Sequence, residues 1–157
     1  MYIYCIIYFT IIVSEKDFPV KIILFICDQG YQGSQSSFNN IDDLSSLAQF
    51  DTYQINTKFE AENITKHFFN KKGFDIYCVG QRLSKEEIFS ESPKSFAKNF
   101  SFIEYFEGNE KTIVSSNFAF NYALNIKKKI EKKTNKKVGL INCNFVTDPD
   151  INYLKNK

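Results

Sequence analysis

The sequence has no tryptophan, one methionine and one histidine. A single histidine, with no ligand spacing around it, argues against a zinc centre. Cysteine is sparse. Cys5, Cys27, Cys78 and Cys143 are far apart and none stands in a C-x-x-C pair. Three lie within or at the end of apolar, strand-like runs, so they read as small buried hydrophobes of a reducing compartment. Neither charge dominates: 20 Lys and Arg face 18 Asp and Glu, a net charge of +2. That balance argues against a nucleic-acid partner. No apolar run is long enough to span a bilayer. The start, MYIYCIIYFTIIV, falls short of the about 20 residues a spanning helix needs. It has no basic leading region and no small-residue cleavage site. It reads as a buried strand or helix, with a signal or anchor as the alternative, and the expectation is no membrane and a cytoplasmic protein.

What is present is a globular composition, 43% hydrophobic and 24% charged. The 157 residues suffice for one domain or two small lobes. The 17 Phe and 9 Tyr accompany abundant Lys, Asn and Ile. That looks like a compositional bias, so no lone Phe or Lys counts as a signal.

The chain alternates between two periodicities. Residues 20–27, VKIILFIC, form a continuous β-branched run, as a buried parallel strand does. The loop DQGYQGSQSSFNNIDDL follows at 28–44. Leu44, Leu47 and Phe50 then recur at helical spacing over 41–50, with Asp42 and Asp43 suiting the first-turn dipole. A short strand is predicted at 53–55. Thr57 and Glu60 form a capping-box pattern that opens a helix to about residue 70. Its inward side is expected to carry Ala61, Ile64, His67 and Phe68, and Gly73 to cap it. A strand follows at 74–79. Residues 83–99 are polar, contain Pro93 and read as a connector. Strands are predicted at 101–106, 111–115 and 138–143, with helices over 117–133 and 148–154. The basic run 127–137 reads as a solvated helix end whose lysines complement the dipole. The acceptor patterns at Asn63 and Asn99 read as chance matches in an Asn-rich chain.

Several segments, in order, resemble the second half of transketolase-like, thiamine-diphosphate-dependent enzymes. FPVKI at 18–22 looks like that family's lead into a strand, and IDDL at 41–44 like its acidic pair followed by Leu. Glu62 stands near the family's helix Glu. IYCVGQR at 76–82 looks like the strand ending in a substrate-binding arginine. FEGNEKTIV at 106–114 looks like the entry to the C-terminal domain, and Asn117, Ala123 and Leu124 fit its first helix. VGLIN at 138–142, through DPD at 148–150, looks like its second strand and turn. The resemblance covers roughly residues 18–154.

It implies an α/β fold of two Rossmann-like lobes. Residues 1–83 would be a partial pyrimidine-binding domain, 84–100 a linker, and 101–157 a truncated transketolase C-terminal domain. It implies ketol transfer between sugar phosphates, with thiamine diphosphate and Mg2+ bound only together with a partner. That partner is expected to be a diphosphate-binding subunit, or further copies of the chain. The substrate-side residues would be Gln35, Ser37, Asn39 and Arg82, the last through bidentate hydrogen bonds to phosphate.

The sequence also departs from the pattern. The family's activating Glu lies upstream of the Pro-Val strand, where only 18 residues precede Pro19 and Glu15 is too close. There is no Gly-Asp-Gly. Where the family has Thr-His-Gln, this chain has Ser37, Phe38 and Asn39. Phe can neither donate nor accept a proton. No residue is therefore given a catalytic or cofactor-binding role, and the chain is expected to be inactive alone. A degenerate, non-catalytic pairing domain is the alternative. A flavodoxin-like domain is a third, with a poor phosphate loop at 30–37.

Overall fold

The computed structural model describes residues 19–26, 51–69, 71–80, 87, 89–116, 119–145 and 147–157. The elements within them are β1 (Pro19–Ile26), β2 (Asp51–Ile55), α1 (Lys58–Phe68), β3 (Gly73–Gly80), β4 (Ser95–Phe96), β5 (Phe102–Phe106), β6 (Lys111–Ser116), α2 (Phe120–Thr134), β7 (Val138–Cys143) and α3 (Ile151–Lys155). The predicted N-terminal element and the helix at 41–50 lie outside the described residues.

Two sheets result. The first is wholly parallel, in the order β1-β3-β2. The second has the order β4-β5-β7-β6, with β6 and β7 parallel and β5 antiparallel to β7. Each contains one β-α-β unit: β2-α1-β3 in the first and β6-α2-β7 in the second. This alternation of strand and helix gives a mixed α/β fold.

Local sequence explains most boundaries. Thr57 caps α1 by accepting from the Glu60 N–H, while the Glu60 side chain reaches back to the N-cap backbone. The predicted capping box is therefore formed. The expected C-cap is not: α1 ends through Phe69, and Gly73 opens β3. Gly73 has a φ of 96°, a region where a Cβ is strained. The inward stripe of α1 is Glu60, Ile64 and Phe68, whereas Ala61 and His67 are exposed. The register moved because Glu60, a charged residue, faces the core. Asn135 closes α2 in the left-handed conformation, which Asn tolerates better than most residues. Most of the basic run after Lys127 is exposed. Lys127 itself is buried, over the Phe106 ring at 4.1 Å and paired with Glu131 at 2.8 Å.

The segment read as a connector is tied into the second sheet. Ser95–Phe96 pairs with β5, and Ala97 and Phe100 are buried. One hydrophobic cluster draws on both sheets. It joins Tyr53, Ile55, Ile64, Phe68 and Tyr77 to Ile103, Tyr105, Phe120, Leu124, Leu140 and Phe145. Tyr53 is its hinge point, stacked between Phe68 and Phe145, each at 4.7 Å. Burying a side chain such as Phe120, which is fully enclosed, contributes roughly 2–3 kcal/mol.

Candidate functional site

A parallel sheet directs its carboxyl ends to one edge, and open α/β sheets take ligands there. In this chain Ile26 at the end of β1 is in register with Gly80 at the end of β3, and Ile55 at the end of β2 with Val79. The chain leaves β1 into the loop that carries Gln35, Ser37 and Asn39. It leaves β3 toward Arg82, two residues on. The two departure points are therefore neighbours on one edge. Gln35, Ser37, Asn39 and Arg82 themselves lie outside the described residues.

The third strand end is fully described. Beyond Ile55 the chain passes through Asn56 and Thr57 into α1, and the first turn buries Glu60 completely. Glu60 Oε2 accepts from the backbone N–H of Asn56 at 2.6 Å and of Thr57 at 3.3 Å. Its Oε1 accepts from the Tyr105 hydroxyl at 2.8 Å and from Asn142 Nδ2 at 3.0 Å. Tyr105 OH is 2.7 Å from Thr57 Oγ1. Asn142 Oδ1 accepts from Ser115 Oγ at 2.9 Å. Beside it, Asn144 donates through Nδ2 to the Gln54 carbonyl at 2.7 Å, and Gln54 N–H returns a bond of 2.7 Å to the Asn144 carbonyl.

Burial pushes the Glu60 carboxyl above the usual carboxylate range, and its donors work against that shift. The Tyr105 hydroxyl is likewise pushed up, by burial first and then by the Glu60 charge. Both Glu60 oxygens are saturated by protein donors. The group is therefore a clasp between α1 and the second sheet, not a carboxylate presented to a ligand.

The other buried carboxylates are engaged in the same way. Asp75 pairs with Lys21, and Lys71 stands beside it, at the amino edge of the first sheet. Glu104 pairs with Lys157 and accepts from Ser95 Oγ at 2.8 Å. Among the described residues no three His, Cys, Asp or Glu side chains gather as a metal site. His67 lies against the Phe68 and Phe100 rings. It borders an open cleft of about 490 Å³ with Lys98, Asp148 and Asp150.

The capping pattern marks Glu60 as a helix cap, with no sign of its partners across the core. Tyr105, Asn142 and Asn144 were missed. Their signal was available: amides at alternate positions in the otherwise apolar VGLINCN, 138–144, place polar groups in a buried strand, where they need partners.

The parallel sheet is joined through its β2 edge to the mixed sheet by the Tyr53–Phe145 bridge, an α/β arrangement similar to the transketolase fold. The structure is similar, with a TM-score of 0.60 and 15% identity, to a solved chain described as "Split gene transketolase, inactive beta4 tetramer". The match covers 82% of this chain and 40% of that one. No family model matches the sequence, and no curated protein does. No described helix is long and apolar enough to cross a membrane.

Proposed function

We propose that this chain is a fragment or separate subunit of a transketolase-like, thiamine-diphosphate-dependent enzyme that transfers ketol units between sugar phosphates. It would be inactive alone. The observation that carries this reading is the adjacency of the β1 and β3 carboxyl ends in a transketolase-like fold. It supports a substrate-side edge where Arg82, Gln35, Ser37 and Asn39 would hold a sugar phosphate, Arg82 through its planar fork. Residues 1–83 would be the pyrimidine-side part, 84–100 the connection and 101–157 part of a C-terminal domain. Thiamine diphosphate and Mg2+ would be bound by a diphosphate-binding partner, or across further copies of this chain, in the cytoplasm.

A second reading is a degenerate pairing domain of the same fold. Phe38 at a proton-handling position of the loop favours it, as does the saturation of Glu60 by the protein's own donors. Co-purification followed by calorimetry with thiamine diphosphate and Mg2+ separates the two. The enzyme reading expects no heat from the isolated chain and heat once a co-purifying partner is added; a separate titration of that complex with a sugar phosphate should be weakened by Arg82→Ala. If no partner restores binding, the pairing-domain reading stands. Binding by the isolated chain overturns the assignment of the cofactor to a partner.

A further inference from the structure

The Glu60 carboxyl is fully enclosed, and among the described residues no Lys or Arg pairs with it. Each element around it offers a donor. The turn ahead of α1 gives the Asn56 and Thr57 N–H groups to Oε2. Strand β5 gives the Tyr105 hydroxyl to Oε1, and β7 gives the Asn142 amide. Asn144 Oδ1 lies 3.3 Å beyond Asn142 Nδ2. Tyr105 is the titratable group facing Glu60 in this shell. Burial, then the Glu60 charge, keeps its hydroxyl protonated.

A chain of three oxygens leads out of this interior. Glu60 Oε1 is 2.8 Å from Tyr105 OH, which is 2.7 Å from Thr57 Oγ1. Exposure rises along it, from 0% at Glu60 to 1% at Tyr105 and 6% at Thr57. Thr57 caps α1 just past the end of β2, so the outer end of the chain stands at the carboxyl edge of the first sheet.

The fixed donors dictate how the hydrogens run. An ionised Glu60 is acceptor-only. Tyr105 then donates to Oε1, and Thr57 donates to Tyr105. Thr57 Oγ1 also accepts from the Glu60 N–H at 3.2 Å, so every hydrogen is used. With one proton added, Glu60 donates from Oε1 to Tyr105, and Tyr105 donates to Thr57. Thr57 Oγ1 becomes a double acceptor, and its own hydrogen is released. Oε1 keeps a lone pair for Asn142, and Oε2 keeps its two N–H donors. Every heavy-atom contact survives, and the buried charge is gone. A buried charge without a counter-ion is costly. A neutral carboxyl that keeps its hydrogen bonds avoids that cost.

We propose that Glu60, Tyr105 and Thr57 form a proton-binding site, a pH-sensitive clasp that holds α1 to the second sheet more firmly when the proton is bound. The proton enters at Thr57 Oγ1. The Thr57 hydrogen passes to Tyr105, and the Tyr105 hydrogen passes to Glu60 Oε1. One proton is taken up and one negative charge is neutralised. The state is displayed at the edge: the Thr57 hydroxyl points inward when Glu60 is ionised and is released to donate outward when it is not. Burial raises the Glu60 carboxyl above the usual range, so the folded chain holds the proton where the unfolded chain has lost it. The stability gained is full below glutamate's ordinary value and is lost as pH rises through the folded one.

Urea denaturation of the parent and Glu60→Gln across this window is the test. Gln keeps the shape, with its oxygen toward the two N–H groups and its Nε2 toward Tyr105. The unfolding constant of the parent should rise with pH relative to the variant's, by up to about tenfold per pH unit, and then level off. Tyr105→Phe removes a donor to the charged form, so the rise should extend to higher pH. A tyrosine that only packs would shift stability by the same factor at every pH. Should Glu60→Gln fail to fold, NMR of the parent labelled with carbon-13 in its glutamate carboxyls should show one that titrates above the others. A flat parent-to-variant ratio above glutamate's ordinary value overturns the proposal. So do carboxyls that all titrate in the ordinary range, or a Tyr105→Phe profile parallel to the parent's. None of these readouts involves cofactor, sugar phosphate or a second protein, so failure here is distinct from failure of the enzyme reading.

Discussion

In the first sheet, polar groups are gathered at the rim and the aromatic face leans on outside help. Its amino edge carries the Lys21, Asp75, Lys71 and Asp51 ion pairs. Tyr53 and Tyr77 stack on each other at 5.6 Å, and Tyr53 is closed on one side by Phe145 of the second half. Thr52 Oγ1 and Tyr77 OH are buried without a hydrogen bond. The second sheet is covered more fully by its own helix. Helix α2 buries Phe120, Ala123 and Leu124 over β6 and β7, and every residue of β7 is buried. Its interior amide Asn142 is bonded to Ser115 and Glu60. The second sheet is thus the better-covered scaffold among the described residues, and the first keeps more buried polar groups without partners. Unsatisfied polar groups concentrate where a sequence answers to function as well as to stability.

The sharpest way to break this comparison is to hollow the scaffold. Phe120→Ala should destabilise the chain by about 4 kcal/mol, measured by urea denaturation. Because the core is shared, both sheets should unfold in one transition. Two separate transitions would mean that the halves are independent. Glu60→Ala cuts the clasp and strands the Asn56, Thr57, Tyr105 and Asn142 donors in the interior. A loss of about 3 kcal/mol is expected. Hydrogen exchange should then rise in α1 and β2 before β7; the reverse order would contradict the scaffold assignment.

Glu131 gives a smaller, pH-dependent effect. A hydrogen bond from Lys127, then one from the Val138 N–H, hold its carboxyl below the usual glutamate range. A depressed folded pKa contributes stability above the unfolded value, lost as pH falls through the folded one. Melting curves between pH 7 and acid should therefore converge for the parent and Glu131→Gln, with a difference near neutrality of about 1 kcal/mol or less, since the pair is partly exposed. A constant gap would exclude the linkage.

Much of this architecture was legible. VKIILFIC, FDIYCV and VGLINC were placed within about two residues of the observed strands, because long β-branched runs bounded by Gly, Pro or Asn have few other solutions. The capping box located the start of α1. The α1 inward face was misjudged because periodicity treats a charged residue as outward, while Glu60 is held inside by four donors that come partly from residues 45 and 82 positions away. The short strand at Ser95–Phe96 was read as connector because two polar-flanked residues carry no pattern; its pairing with β5 orders it. The candidate edge was half legible. The sequence placed a Gly-rich loop after one strand and an arginine after another, but not that the two strands are neighbours.

The sequence by itself determined the local elements: which runs extend, where Thr57 and Asp150 start helices, where Asn135 ends one. Those follow from backbone sterics, capping and periodicity, which act over a few residues. The tertiary structure alone decided that β3 lies between β1 and β2, that Asn142 meets Glu60, and that β7 lies between β5 and β6. Each is a long-range choice. It is settled by which faces bury one another and which buried donors find acceptors, and no short window of sequence contains both partners.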